Sequence, residues 1–266
     1  RATMRMFDIE TPFSFLFIVS YILDLRKTTL CGKIKRLPIK NIGEKTMHAN
    51  ALHRKLKPHL WFQLYWLVYL VWFFWLDLTI KNPKYIIHVP LDDRIPFNEW
   101  FVFPYCSWFF LLAGVTALLW WYDTASYDKL CLMMFSGMTF CLILYMVLPN
   151  GLDIRPTAEA VGRDNIAMGI MQLLWSADAS VNVCPSIHCQ SSGCMALAFS
   201  QSRLAKHRPA LQVLSWAWAL LICASTVFTK QHSVVDVVCG LALVAVWVPF
   251  LYKRKGGNAA FVAKSS

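Results

Sequence analysis

Two things are scarce in this chain: paired cysteines and acidic charge. Its 266 residues hold no Cys-x-x-Cys pair, and the nine cysteines (Cys31, Cys106, Cys131, Cys141, Cys184, Cys189, Cys194, Cys223 and Cys239) are odd in number. That argues against a disulfide framework and against a zinc site. Several fall inside apolar runs and read as small buried hydrophobes. Only Cys184 stands beside the chemical motifs below, and packing is its expected role. No internal repeat, linker or low-complexity tract interrupts the chain. A convincing cleavable signal is missing too: residues 12–23 are apolar and aromatic but short, with no small-residue cleavage site. The first residue is Arg1 rather than Met, so a start upstream of it is left open.

Acidic residues number 15 against 26 Lys and Arg, a formal net charge of +11. In a soluble protein this excess would suggest nucleic acid. Here the basic residues crowd into short segments beside apolar runs, and no aromatic-basic reading surface accompanies them. Orientation in a bilayer explains the charge, and no nucleic-acid partner is expected. A hydrophobic content of 57%, with 15% aromatic residues and a mean hydropathy of +0.46, excludes an ordinary soluble domain.

With about 20 residues per crossing, six membrane helices are expected. They lie near residues 60–80, 102–122, 130–149, 186–202, 211–228 and 233–251. The fold class is therefore all-α: a polytopic six-helix membrane bundle over 60–252, with a basic N-terminal region at 1–59 and a basic tail at 253–266. The fourth crossing is the weakest, because Gln190, Ser191, Ser192 and Gly193 dilute it; such residues suit a helix that faces other helices rather than lipid. An interfacial amphipathic helix is expected over 11–25, beside Arg26 and Lys27.

Lys33, Lys35, Arg36, Lys40, Lys45, Arg54 and Lys55 put the N-terminal stretch in the cytoplasm. Six crossings return the basic 203–208 loop and the Lys253-Arg254-Lys255 tail to the same side. The loops 81–101, 150–184 and 229–232 then face outward, across the cell membrane.

Three candidate chemical elements sit on that outer face. His232 and Asp236 are four apart, so on a helix they share a face and the carboxylate can fix the imidazole tautomer. A hydrated His232 beside a capping Asp236 is the plainer alternative. Against it, Asp236 leads into Val237, Val238 and Cys239, and an ionisable group drawn into an apolar helix is usually paired. Pro185-Ser186-Ile187-His188 opens another apolar helix, whose first-turn N–H groups and Ser186 hydroxyl make an anion site. A Ser-capped helix with an incidental His188 is the alternative there. Arg155-Pro156 follows the third helix and offers a planar fork for two phosphate oxygens, or for a lipid headgroup. Asp153 either orients that fork or is solvated.

Taken in order, Arg155-Pro156, Pro185-Ser186-x-His188 and Ser225 with His232 and Asp236 resemble the type 2 phosphatidic acid phosphatase superfamily, over roughly residues 60–252. The stretch 225–232 is similar to bacterial branches in particular. The resemblance implies a six-helix lipid-phosphate phosphatase without cofactor or metal. Within it His232 is the nucleophile that becomes a phosphohistidine, Asp236 its orienting carboxylate, and His188 the acid and then the base. Arg155 and Ser186 hold the phosphate oxygens. This chain departs from the family pattern at three places. Leu148 stands where a lysine is usual, Thr226 where an arginine follows the serine, and Ile187 where a glycine is usual. Two phosphate-binding cations are thereby absent, and Lys230 is the candidate to replace one.

The expected substrate is a lipid phosphate or diphosphate: phosphatidic acid, phosphatidylglycerol phosphate or a polyprenyl diphosphate. Headgroup transfer to a lipid alcohol, as in relatives similar to inositol phosphorylceramide synthases, is the alternative within the family. A non-catalytic headgroup binder or a transporter is the alternative outside it. The oligomeric state is open.

Overall fold

The structure, a computed structural model, describes residues 61–252. The basic N-terminal region with its expected interfacial helix, and the tail from 253 onward, lie outside the described residues. The first long helix, α1 (Trp61–Thr79), carries a single charge, Asp77. It is followed by a two-residue strand β1 (Tyr85–Ile86), a short helix α2 (Pro90–Arg94) and a 3-10 turn at Glu99–Phe101. Helix α3 (Val102–Tyr122) has no charged residue at all.

Helix α4 (Thr124–Val147) follows after one residue, six positions ahead of its expected start at 130. Asp123 is the reason. Its carboxylate accepts from the Ser126 N–H at 3.3 Å and the Ser126 hydroxyl at 2.8 Å, a cap that lets the helix begin within a polar stretch. The same carboxylate accepts from the Arg203 N–H at 2.8 Å and so ties two connections at that end of the bundle.

After α4 come strand β2 (Asn150–Gly151) and helices α5 (Ala158–Val161) and α6 (Ile166–Ala177). Helix α6 falls in a loop where no helix was expected. It is capped by Asn165 and packs Ala167, Met168 and Met171 beneath Val102. Three helices close the chain: α7 (Ile187–Gln201), α8 (Pro209–Phe228, with Pro209 in its first turn) and α9 (Val234–Leu251, capped by Ser233).

Five helical stretches among the described residues are long and apolar enough to cross a membrane: Phe62–Thr79, Glu99–Tyr122, Thr124–Val147, Pro209–Phe228 and Val234–Leu251. Their outward side chains are apolar, with Val71 72%, Phe110 74% and Phe250 74% exposed, as lipid contact requires. The architecture is an all-α, polytopic membrane fold. By length the fourth expected crossing, near 186–202, is not one of the five. At 15 residues α7 spans about 22 Å, short of the roughly 30 Å hydrocarbon thickness. It runs through the centre of the bundle from one end to the other, packed against α3, α4, α8 and α9, with most of its residues buried.

Two glycines make that central position possible. The Gln190 amide enters α4 and donates to the Met133 carbonyl at 3.1 Å, in space that a side chain on Gly137 would fill. Gly240 brings α9 against the start of α7, where an added Cβ would stand 2.6 Å from the Ser186 carbonyl oxygen. At the same end of the bundle, β1 and β2 pair in parallel, Tyr85 with Asn150 and Ile86 with Gly151, and Gly151 also bridges Val181. Three loops are thereby fastened over the ends of α7 and α9.

Candidate active site

Helix starts and the backbone turns before them set the geometry of the candidate site. The last turn of α8 runs on through Thr229 and Lys230, and the chain reverses at Lys230, whose φ of 56° is left-handed. The Thr226 carbonyl accepts from both Gln231 N–H (2.9 Å) and His232 N–H (3.0 Å), so the two residues are held together. Ser233 then caps α9, and the Asp236 side chain returns to the Ser233 N–H at 2.8 Å, a reciprocal capping box. His232 itself stands outside α9, so the pair does not share a helix face as expected; the returning Asp236 side chain brings its Oδ2 to 3.3 Å from His232 Nδ1. A carboxylate in that place accepts the Nδ1 proton and leaves the Nε2 lone pair outward.

His232 Nε2 faces His188 Nδ1 at 3.4 Å, so the first turn of α7 meets the residue just ahead of the α9 cap imidazole to imidazole. The His188 ring is set between Tyr105 and Trp108 of α3, with centroid separations of 4.9 and 4.8 Å. Trp108 is fixed in turn by its indole N–H on the Ser191 hydroxyl at 2.9 Å. Ser186 caps α7, accepting from the Cys189 N–H at 3.3 Å, and its own N–H donates to the Asp236 carbonyl at 3.0 Å. One backbone bond thus ties both motifs together.

Burial alone would drive the charge off the His232 imidazole. The hydrogen bond to Asp236 and its negative charge outweigh that, and the pKa of His232 lies above the ordinary imidazole value. Arg155 approaches from the loop after β2. It donates to the Asp178 carbonyl at 2.8 Å and to Gln231 Oε1 at 2.5 Å, with the Asp178 carboxylate 3.7 Å away. Burial lowers the Arg155 pKa and Asp178 opposes it; a guanidinium stays charged throughout.

The structure therefore brings His232, Asp236, His188 and Ser186 together, with Arg155 joined through Gln231. It gives Lys230 other partners: its ammonium donates to the Asp92 and Ile95 carbonyls, both at 2.5 Å, which commits two of its three donors. Asp153 makes no such bond to Arg155; Asp178 is the carboxylate beside that guanidinium.

Sequence reasoning missed several supporting residues. Asp92, fully buried in α2, accepts from the Ser233 hydroxyl (2.7 Å) and the Val234 N–H (2.9 Å), and so caps α9 from outside. Asn150 accepts from the Val183 and Cys184 N–H groups at 2.9 and 2.8 Å and donates to the Cys184 carbonyl, which shapes the entry to Pro185. Both act across more than 30 residues of sequence, and no local pattern marks them. Gln231 alone stood in view, one residue before His232. Among the described residues no group of His, Cys, Asp and Glu is placed to hold a metal ion.

The family model of the PAP2 superfamily matches residues 163–258. The matched stretch contains Ser186, His188, Lys230, His232 and Asp236, and begins beyond Arg155. It supports membership of the chain in the type 2 phosphatidic acid phosphatase superfamily, and with that a phosphatase-type enzymatic role in general. The match is to the superfamily as a whole and selects no branch within it. Neither a curated protein nor a solved structure is similar enough to match the chain.

Proposed function

We propose that the protein is an integral-membrane lipid phosphatase that hydrolyses a phosphomonoester or diphosphate of a lipid through a phosphohistidine at His232. The observation that carries this reading is the line Asp236–His232–His188, with separations of 3.3 and 3.4 Å. With the imidazoles parted to admit a phosphoryl group, its phosphorus meets a nucleophile oriented from behind, and its leaving oxygen meets an acid. In the first step His232 Nε2 forms a bond to phosphorus while the P–O bond to the lipid alkoxide breaks, and that oxygen takes a proton from His188. In the second, water gives its proton to His188 as its oxygen bonds to phosphorus, the P–N bond breaks, and phosphate leaves. Arg155, Ser186 and the first-turn N–H groups of α7 neutralise the phosphate oxygens, which supplies the charge stabilisation without a cofactor. In the cell membrane this end of the bundle faces the extracytoplasmic side, with both termini cytoplasmic.

A second reading has its own support. Leu148 and Thr226 leave the site two cations short of the family pattern, and Lys230 spends its donors on the Asp92 and Ile95 carbonyls. A singly charged phosphodiester asks for less neutralisation than a dianionic monoester. That favours headgroup transfer, with a lipid alcohol in place of water in the second step. The test is release of phosphate from phosphatidic acid, phosphatidylglycerol phosphate and a polyprenyl diphosphate by the purified full chain in detergent with EDTA. Release is expected from wild type and is expected to vanish in His232→Ala. Release that persists in that variant removes the phosphohistidine. No release from folded wild type, with transfer from a phosphodiester to a lipid alcohol, selects the second reading.

A further inference from the structure

Gln231 is 3% exposed, and its side-chain amide is half used. Oε1 accepts from Arg155, whereas Nε2 is buried with no hydrogen-bond partner. The other half of the pair repeats the pattern: Arg155 Nε is buried and likewise unpartnered. Two N–H donors on hydrogen-bonded neighbours, beside the nucleophile and both without an acceptor, are costly to bury unless a ligand supplies one. The acceptor that suits a guanidinium and an amide side by side is an oxyanion with more than one oxygen.

We infer that Gln231 is a phosphate-binding residue of this site: its Nε2–H donates to a substrate phosphate oxygen, while Oε1 holds the Arg155 fork on the same group. This rests on the function proposed above and gives the site a neutral donor in place of an absent cation. The backbone supports the assignment. Gln231 and His232 hang from one carbonyl, that of Thr226, at 2.9 and 3.0 Å, so a phosphate gripped by Gln231 is presented at a fixed offset from the nucleophile. The chemical class recognised is a tetrahedral oxyanion, whether carried by a lipid or free.

Three variants separate contact with phosphate from service to Arg155. Gln231→Glu keeps an acceptor for the guanidinium but turns a donor into a negative charge. Gln231→Leu removes both. Gln231→Asn keeps the donor on a shorter arm and serves if either of the others fails to fold. Binding of inorganic phosphate and of orthovanadate to the full chain in detergent is followed by calorimetry, beside turnover of phosphatidic acid in mixed micelles. Loss of a hydrogen bond to a charged group predicts a fall in affinity of about tenfold or more for Gln231→Leu. A larger fall is expected for Gln231→Glu and a smaller one for Gln231→Asn, with the same order for the free anions and the lipid substrate.

Binding by Gln231→Glu equal to wild type overturns the inference and leaves Gln231 as a positioning residue for Arg155. Unchanged binding in all three variants overturns it as well. In both cases an active wild type leaves the proposed function standing. Wild type that neither binds an oxyanion nor turns over a phosphorylated lipid overturns the two together.

Discussion

At the scale of single residues, His232 behaves as two opposed influences dictate. Burial disfavours its charged form, Asp236 favours it, and the carboxylate prevails. The protonated imidazole has no lone pair to offer phosphorus. Activity of wild type is therefore expected to fall with decreasing pH through a value above the ordinary imidazole pKa of about 6.5. Asp236→Asn removes the raising influence, so the acid limb of its kcat/KM profile is expected at lower pH, on a lower plateau; coincident limbs would detach Asp236 from His232. The same pair bears on stability with the sign of a raised histidine. Its contribution is present in full below about 6.5 and is lost as pH rises through the elevated value. The His232–Asp236 pair was legible from its spacing, although the capping box on Ser233, rather than a shared helix face, closes it. Asp92 and Asn150 were not, since their bonds to the catalytic turns cross 141 and 34 residues of sequence and neither sits in a periodic segment.

At the scale of elements, helix ends rather than helix faces build the site, and their caps are where it is vulnerable. Asp92 closes the start of α9 through Ser233 and Val234. Asp92→Ala is expected to cost about 2 kcal/mol, read as a lower thermal midpoint in detergent, with Asp92→Asn in between. Gly240 sets the approach of α9 to α7. In Gly240→Ala the new Cβ would meet the Ser186 carbonyl oxygen at 2.6 Å, and that peptide lies beside the Ser186 bond to Asp236. Turnover by Gly240→Ala is expected to drop at least about tenfold, the scale of a small misplacement of reacting groups, and the thermal midpoint to fall with it, because overpacking against backbone costs about 1–3 kcal/mol. Long apolar runs placed most of these helices to within a residue or two. The early start of α4 was hidden because its first turn is polar and depends on Asp123, and α6 because its 12 residues are too short to stand out as a crossing.

For the whole molecule, an apolar exterior encloses a polar centre. Val71 lies mid-helix on the outward face of α1, so Val71→Arg is expected to disfavour membrane insertion by about 3 kcal/mol in a glycosylation-based insertion assay. The proposed orientation is checked by reporters of side placed at exposed Gly162, in the loop near the active site, and at Lys206, between α7 and α8. Reporters at the two positions are expected on opposite sides of the membrane, with Gly162 outside.

Helix α7 bears on how the molecule is made. Carrying Gln190, Ser191, Ser192 and Ser200 on 15 residues, it has neither the length nor the apolarity to enter a bilayer by itself. Its place among α3, α4, α8 and α9 means that the last two of those neighbours are synthesised after it. Ser186 and His188 therefore acquire their surroundings only once α8 and α9 have left the ribosome and closed around them. A nascent chain halted before α9 lacks Asp236 and the helix that packs against the start of α7, so the proposed site assembles only once α9 is in place.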